Sequence, residues 1–357
     1  MAPKISNSSI SSMLPPIADQ SAPAASPGWA HEQVTEEAVN QLMIRKFTDI
    51  VASYDQRKHA ASLKELATGP WYPNDYAAAL EKHGQGKRME WLRTKDAFFH
   101  GFPPKGFISQ PNPATLTKID PSSYQIKPEC LPSQALENVK TGQFSFTDCG
   151  SAVELAMYET LIDVLGEARF NEIFSAEGQS PLKLHPHVLK TPLYSLGFVK
   201  EEMLSPDAIS PNLGDNVYFS NIPLYTIKHP NGESKGFHAV CISPSDVVNK
   251  RYIAFGAPAR GLTEGEMNDF MVDEFNAPPI NPYQIFTKQM AAYFQLECRQ
   301  AEAQFTAKMG IKIADFKVDR DQFEQTVRQS AHKMAGLSPI VKRLDIDTIR
   351  KYIMPGV

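Results

Sequence analysis

Three observations predict an α+β fold in which a buried, cysteine-bearing helix packs on an antiparallel sheet. A nearly all-apolar helical stretch begins at Cys149, three short β-rich segments follow at 214–221, 236–243 and 251–258, and helix-patterned regions flank the whole. The pattern divides the 357 residues into a leader at 1–30, a mainly helical region at 31–142, a core at 143–286 and C-terminal helices at 287–357. A chain of this length suits one large domain with helical additions.

The leader is rich in Ser, Pro and Ala with one acid, Asp19, and buries too little apolar surface to order itself. Two readings stand for it. One is a solvated tail; the other is an uncleaved export signal like those of bacterial effectors, with the chain in the bacterial cytoplasm before secretion into a host cytosol. Next, a helix from about Glu32 to Arg57 places Val34, Val39, Leu42, Met43, Phe47 and Ile50 near helical spacing, which gives one apolar face. A second helix is expected over Asn74–Leu92, and the Pro- and Gly-rich run Gly101–Pro132 reads as irregular packing or a linker.

Beyond Cys149, "GDNVYFSN", "GFHAVCIS" and "RYIAFGAP" are rich in β-branched and aromatic residues and bounded by Asn, Pro, Asp and Gly, as short antiparallel strands are. Three helices with polar outer faces are expected in "KQMAAYFQLECRQAEAQFTAKM", "RDQFEQTVRQSAHKM" and "LDIDTIRKYIM". A net charge of −4 supplies no basic field for nucleic acid. Cysteines 130, 149, 241 and 298 are too far apart for a metal knuckle or redox pair. They fit a reducing compartment, and no metal or cofactor is implied. No apolar run approaches the roughly 20 residues of a membrane span, and the N-terminus lacks an apolar stretch of signal-peptide length.

Thr147 and Asp148 are good N-cap types and Gly166 suits a helix end, so the cysteine helix is expected from about Cys149 to Leu165. Apolar residues on most of its circumference mark it as central and buried. Cys149 then lies in the first turn, where unpaired backbone N–H groups and the positive end of the helix dipole favour a thiolate. The alternative is a buried structural thiol, the common state of cysteine.

A nucleophilic cysteine needs a base on another element. His238 lies early in a strand, and the period of two places it on the face of Val240 and Ile242, as a base for the cysteine or as a satisfied structural histidine. His185, His187 and His229 lie in Pro-containing loop sequence and read as surface residues. A third group normally orients the base. The following strand, "RYIAFGAP", offers none, so the orienter is sought in Asn249, a backbone carbonyl, or elsewhere.

These residues resemble a known family. "TDCGSAVELAMYETLIDVLGEARFNEIF" is similar to the cysteine segment of the protein-glutamine gamma-glutamyltransferases of spore-forming bacilli, in which an acid-Cys-Ala-Thr-Ala opening leads into an apolar helix. "GDNVYFSN" resembles their Gly-Asp-Cys-Val-Tyr-Phe strand, "KGFHAVCIS" stands at their Gly-Glu-Asn-Val-Ile strand, and "RYIAFGAPARGLTEGEMNDFM" is similar to their Tyr-Tyr-Gly-His-Gly-Ile-Gly segment. The resemblance runs in order through residues 143–286. It implies that Cys149 is the nucleophile and Asp148 the acid before it. The family's catalytic glutamate falls on Phe237 or His238, and its later histidine on Phe255. A Cys-His pair thus replaces Cys-Glu, closer to the related NlpC/P60 and papain-like enzymes.

The implied chemistry is attack of Cys149 on a glutamine side chain of a protein substrate, giving a thioester resolved by a lysine or other amine, or by water. Tyr218, Phe219, Tyr252 and Phe255 are either core residues or walls that shield the thioester. The alternatives are a cysteine protease or peptidoglycan endopeptidase, and a catalytically inactive binding module.

Overall fold

The computed structural model describes residues 28–60, 106–110, 123–141, 149–185, 188–205, 210–229, 234–244, 246, 248–255, 257, 260–278, 301–329 and 336–353. The expected helix at 74–92, residues 1–27 of the leader, Thr147, Asp148, His187 and Cys298 lie outside the described residues. Among those described, helices combine with two antiparallel sheets in an α+β arrangement. None of the described helices is long and apolar enough to cross a membrane.

Helix α1 (Glu36–Ala60) buries Val39, Leu42, Met43, Phe47 and Ile50 at the expected spacing. After α2 (Pro132–Thr141) comes α3, Cys149–Leu165, with the bounds its flanking residues predict. Apart from its first residues, α3 is buried nearly all round, and each of Leu161, Met157 and Val164 contributes about 1.5–3 kcal/mol by leaving water. Its polar residues meet partners at the margins: Asp163 pairs with Lys46 of α1 at 2.7 Å, and Glu159 with Lys140 of α2 at 3.3 Å. Gly166, at φ +80°, takes the left-handed turn that lets α4 (Glu167–Phe174) start at once in a new direction.

The run expected to be irregular, Gly101–Pro132, contains strands β1 (Phe107–Gln110) and β2 (Ser123–Ile126), which join β3 (Lys183–Leu184) in a three-stranded antiparallel sheet. Phe107, Tyr124 and Ile126 are buried there, so burial of a few side chains outweighs the surrounding turn-forming composition.

The larger sheet comprises β4 (Val199–Met203), β5 (Asn216–Ser220), β6 (Gly236–Cys241), β7 (Arg251–Ala254), β8 (Leu262–Thr263), β9 (Gly336–Leu337) and β10 (Ile340–Leu344), in the order β4-β10-β5-β6-β7-β8 with β9 also beside β5. The C-terminal segment expected to be helical therefore lends a strand to the middle of the sheet. Val341 and Leu344 of β10 sit in the cores on opposite sides of it, a non-local arrangement that helical periodicity cannot reveal. The helices found around β10 are α6 (Arg320–Gln329) and α7 (Ile346–Ile353).

Two cores flank this sheet. On one side, Val199, Val240, Ile253, Phe255 and Leu344 pack with α1 and α3. On the other, Val217, Phe219, Phe237, Ala239, Cys241 and Tyr252 pack under Met267, Met271 and Phe275 of α5 (Glu264–Asn276) and Phe323 of α6.

Candidate active site

Cys149 is the first residue of α3 and is half-buried against the core that contains Val240, Ile253 and Phe255. Backbone N–H groups of a first helical turn have no partner within the helix, and they point at any anion formed there. Helix α3 packs on β6. Alternation along β6 sends Phe237, Ala239 and Cys241 into the far core and Val240 into the α3 core, so His238 belongs to the α3 face. Nucleophile and imidazole thus stand on facing elements.

The imidazole has a side-chain partner on the neighbouring strand. His238 Nδ1 is 3.3 Å from Oδ1 of Asn216, the first residue of β5. The carboxamide orientation follows from its other bonds: Nδ2 donates to the carbonyls of Ala239 at 3.2 Å and Val217 at 3.4 Å. Both amide hydrogens being turned to carbonyls, Oδ1 is left to face the ring and accepts from Nδ1–H. That tautomer carries its lone pair on Nε2, the ring atom that can accept a proton. Asn216 is buried, which keeps water from competing for this contact.

Asn249, one of the groups considered for this contact, is exposed, and the side chain that meets the ring is Asn216. The signal was present in the sequence. Asn216 and Tyr218 alternate along the strand before His238 as a face-sharing pair, and antiparallel pairing sets Tyr218 opposite His238 and Asn216 opposite Val240.

Of the candidate wall residues, Tyr218 lies beside the base, its ring centroid 4.8 Å from that of His238 at 55°. Phe255 is buried in the α3 core. Phe219 and Tyr252 are not on this side: both sit in the far core, their ring centroids 5.0 Å apart. The reason is parity, since Phe219 opposes Phe237 and each is one residue out of step with the His238 face. Gly236 completes the cluster, because a Cβ there would overlap the Tyr218 hydroxyl.

His185 and His229 are less exposed than their loop sequence predicts. His229 is buried, stacks on Tyr225 and approaches the Phe275 carbonyl at 2.9 Å through Nε2. Burial pushes its imidazole below the ordinary range. His185 is also buried, its backbone N–H donating to Glu154 Oε2 at 3.2 Å. Among the described residues no group of three or more His, Cys, Asp and Glu is arranged to hold a metal ion.

No protein-family model and no curated protein matches this chain. Among solved structures, the chain is similar to a transglutaminase from Geobacillus stearothermophilus, determined without its C-terminal extension. Sequence identity is 14% and the TM-score 0.35, over 76% of this chain and 92% of that one.

Proposed function

We propose that the protein is a thiol acyltransferase acting on glutamine side chains of proteins, with a papain-like core of the NlpC/P60 kind. In this reading Cys149 is the nucleophile, His238 the general base and Asn216 the positioning residue. The observation that supports it is the 3.3 Å contact between His238 Nδ1 and Asn216 Oδ1, on the sheet face against which the Cys149 helix packs. An oriented imidazole is what an inert module of the same fold would have no need to keep.

The steps follow from the groups. His238 Nε2 takes the proton from Cys149 Sγ, and the thiolate adds to the carboxamide carbon of the substrate glutamine. The oxyanion so formed lies toward the N–H groups that begin α3. Collapse expels the amide nitrogen, which leaves as ammonia with the proton returned by His238, and a thioester remains on Cys149. A lysine amine resolves it to an isopeptide crosslink; water resolves it to glutamate. Asp148 directly precedes the nucleophile in the sequence, and removing its side chain should cost less than removing that of His238.

Incubation with a glutamine-containing protein and a fluorescent primary amine tests the reading. A Cys149-dependent amine adduct establishes transglutamination, and ammonia release without adduct establishes deamidation. New N-termini on the target would overturn the reading in favour of a peptidase. Neither product nor cleavage, with Cys149 labelling by iodoacetamide no faster below pH 7 than a free cysteine, would favour the binding module.

A further inference from the structure

The α3 face of the sheet does not end at the helix. Strands β5, β10 and β4 continue it away from His238, and their register shows which side chains share it. Lys342 pairs with both Asn216 and Glu201, and Ile340 pairs with Met203. Leu344 and Val199, two positions along from Lys342 and Glu201, belong to the α3 core, so the alternate residues Lys342, Ile340, Glu201 and Met203 occupy that same side. Met203 is 63% exposed and Ile340 36% exposed, although both are large apolar residues on a paired strand. The strip is continuous with the candidate site, since Ser338, two residues before Ile340, donates its N–H to the Tyr218 carbonyl at 2.8 Å, and Tyr218 lies against His238.

We propose that this shelf seats the polypeptide segment that carries the reactive glutamine, with an apolar side chain of that segment covering Met203 and Ile340. The inference rests on the acyl-transfer reading above. Alongside the apolar row, Lys342 and Glu201 bring a donor and an acceptor that suit the carbonyl and N–H groups of an extended chain. Burial holds the Lys342 amine below its ordinary range, with Glu201 opposing that shift. Neighbouring strands are about 4.8 Å apart, so Ile340 and Met203 lie on the order of 10–15 Å from His238. At about 3.3 Å per extended residue, the apolar group belongs three or four positions from the glutamine.

The experiment uses the full chain bearing Cys149→Ala, so that binding is read without turnover. Two fluorescent peptides differ only in carrying Leu or Ser three and four positions from a central glutamine, on both sides. Anisotropy titration is expected to show the Leu peptide binding about tenfold more tightly. The double substitution Met203→Ser with Ile340→Ser should erase that preference while leaving the thermal unfolding curve in place, since both side chains are exposed. Equal binding of the two peptides, or a preference that survives in the double variant, would overturn the shelf. Amine incorporation into the same peptides by the unsubstituted protein reports on the parent reading separately. Product with no Leu preference sinks the shelf alone, whereas a Leu preference with no Cys149-dependent product sinks the acyl transfer alone.

Discussion

On the sheet face turned toward α5 and α6, Val217, Phe219, Phe237, Ala239 and Tyr252 are sealed from water, while on the face toward α3 their strand neighbours Asn216, Tyr218 and His238 form a polar, partly open cluster. The same residues of β5 and β6, taken alternately, hold the fold together and carry the candidate chemistry. A strand permits this division because its two faces are independent in side-chain content yet rigidly coupled through one backbone. The sealed face fixes the register, and the register sets His238 beside Asn216.

The largest separation of the two faces should come from Cys149→Ala and His238→Ala. The first is expected to abolish product and the second to lower the rate by about 10²–10⁴-fold, the usual contribution of a general base. Denaturant unfolding of both should stay close to that of the parent. A His238→Ala protein with full activity would break the division, since the polar face would then have no catalytic use.

The converse substitution is Phe219→Ala. Its ring is fully buried beside Tyr252, and truncation should cost about 3–5 kcal/mol in urea unfolding. Activity per folded molecule, and its pH profile, should change little. Should the pH profile move as it does for a variant of the other face, the two faces are not independent.

Asn216→Ala is expected to lower activity by less than loss of His238, because it removes the orientation of the base and not the base itself. The informative readout is the pH dependence of Cys149 alkylation and turnover. Loss of the Oδ1 contact should shift that profile, with partial return in Asn216→Gln or Asn216→Asp. A rate loss with an unchanged profile would reduce Asn216 to a structural tie between β5 and the Ala239 and Val217 carbonyls.

What was legible in the chain divides along physical lines. Helix α3 announced itself because its cap types, its stop at Gly166 and its apolar circumference are local signals that agree. Strands β5, β6 and β7 are equally plain, and their alternation alone places His238 on the side of Val240. Hidden were β4, whose Lys-Glu-Glu run is exposed and does not alternate, and β10, which finds its neighbours more than a hundred residues upstream. The contact of Asn216 with His238 is not a local signal, because it depends on a residue across the ladder. Phe219 faces the sealed core because it is one residue out of step with Tyr218, and aromatic character alone does not tell the two faces apart.

The smallest expected effect concerns the seam between the faces, at Asp215. Its carboxylate turns toward the far side one residue before Asn216, accepting from the Asn212 N–H at 2.7 Å and pairing with Arg343 of β10 at 2.8 Å. Burial pushes it up from the ordinary 3.8 to about 6, against the pull of the Asn212 N–H and of Arg343. A folded-state value above the unfolded one means that the native protein binds the extra proton. The stability tied to the protonated form is thus fully present below about pH 3.8 and lost as pH rises through about 6. Relative to Asp215→Asn, the parent should gain up to about 3 kcal/mol between pH 7 and pH 4, measured by urea unfolding of both proteins across that range. A difference that shrinks on acidification would show that the Arg343 ion pair outweighs desolvation at this seam, so that charge as well as apolar packing joins β5 to β10.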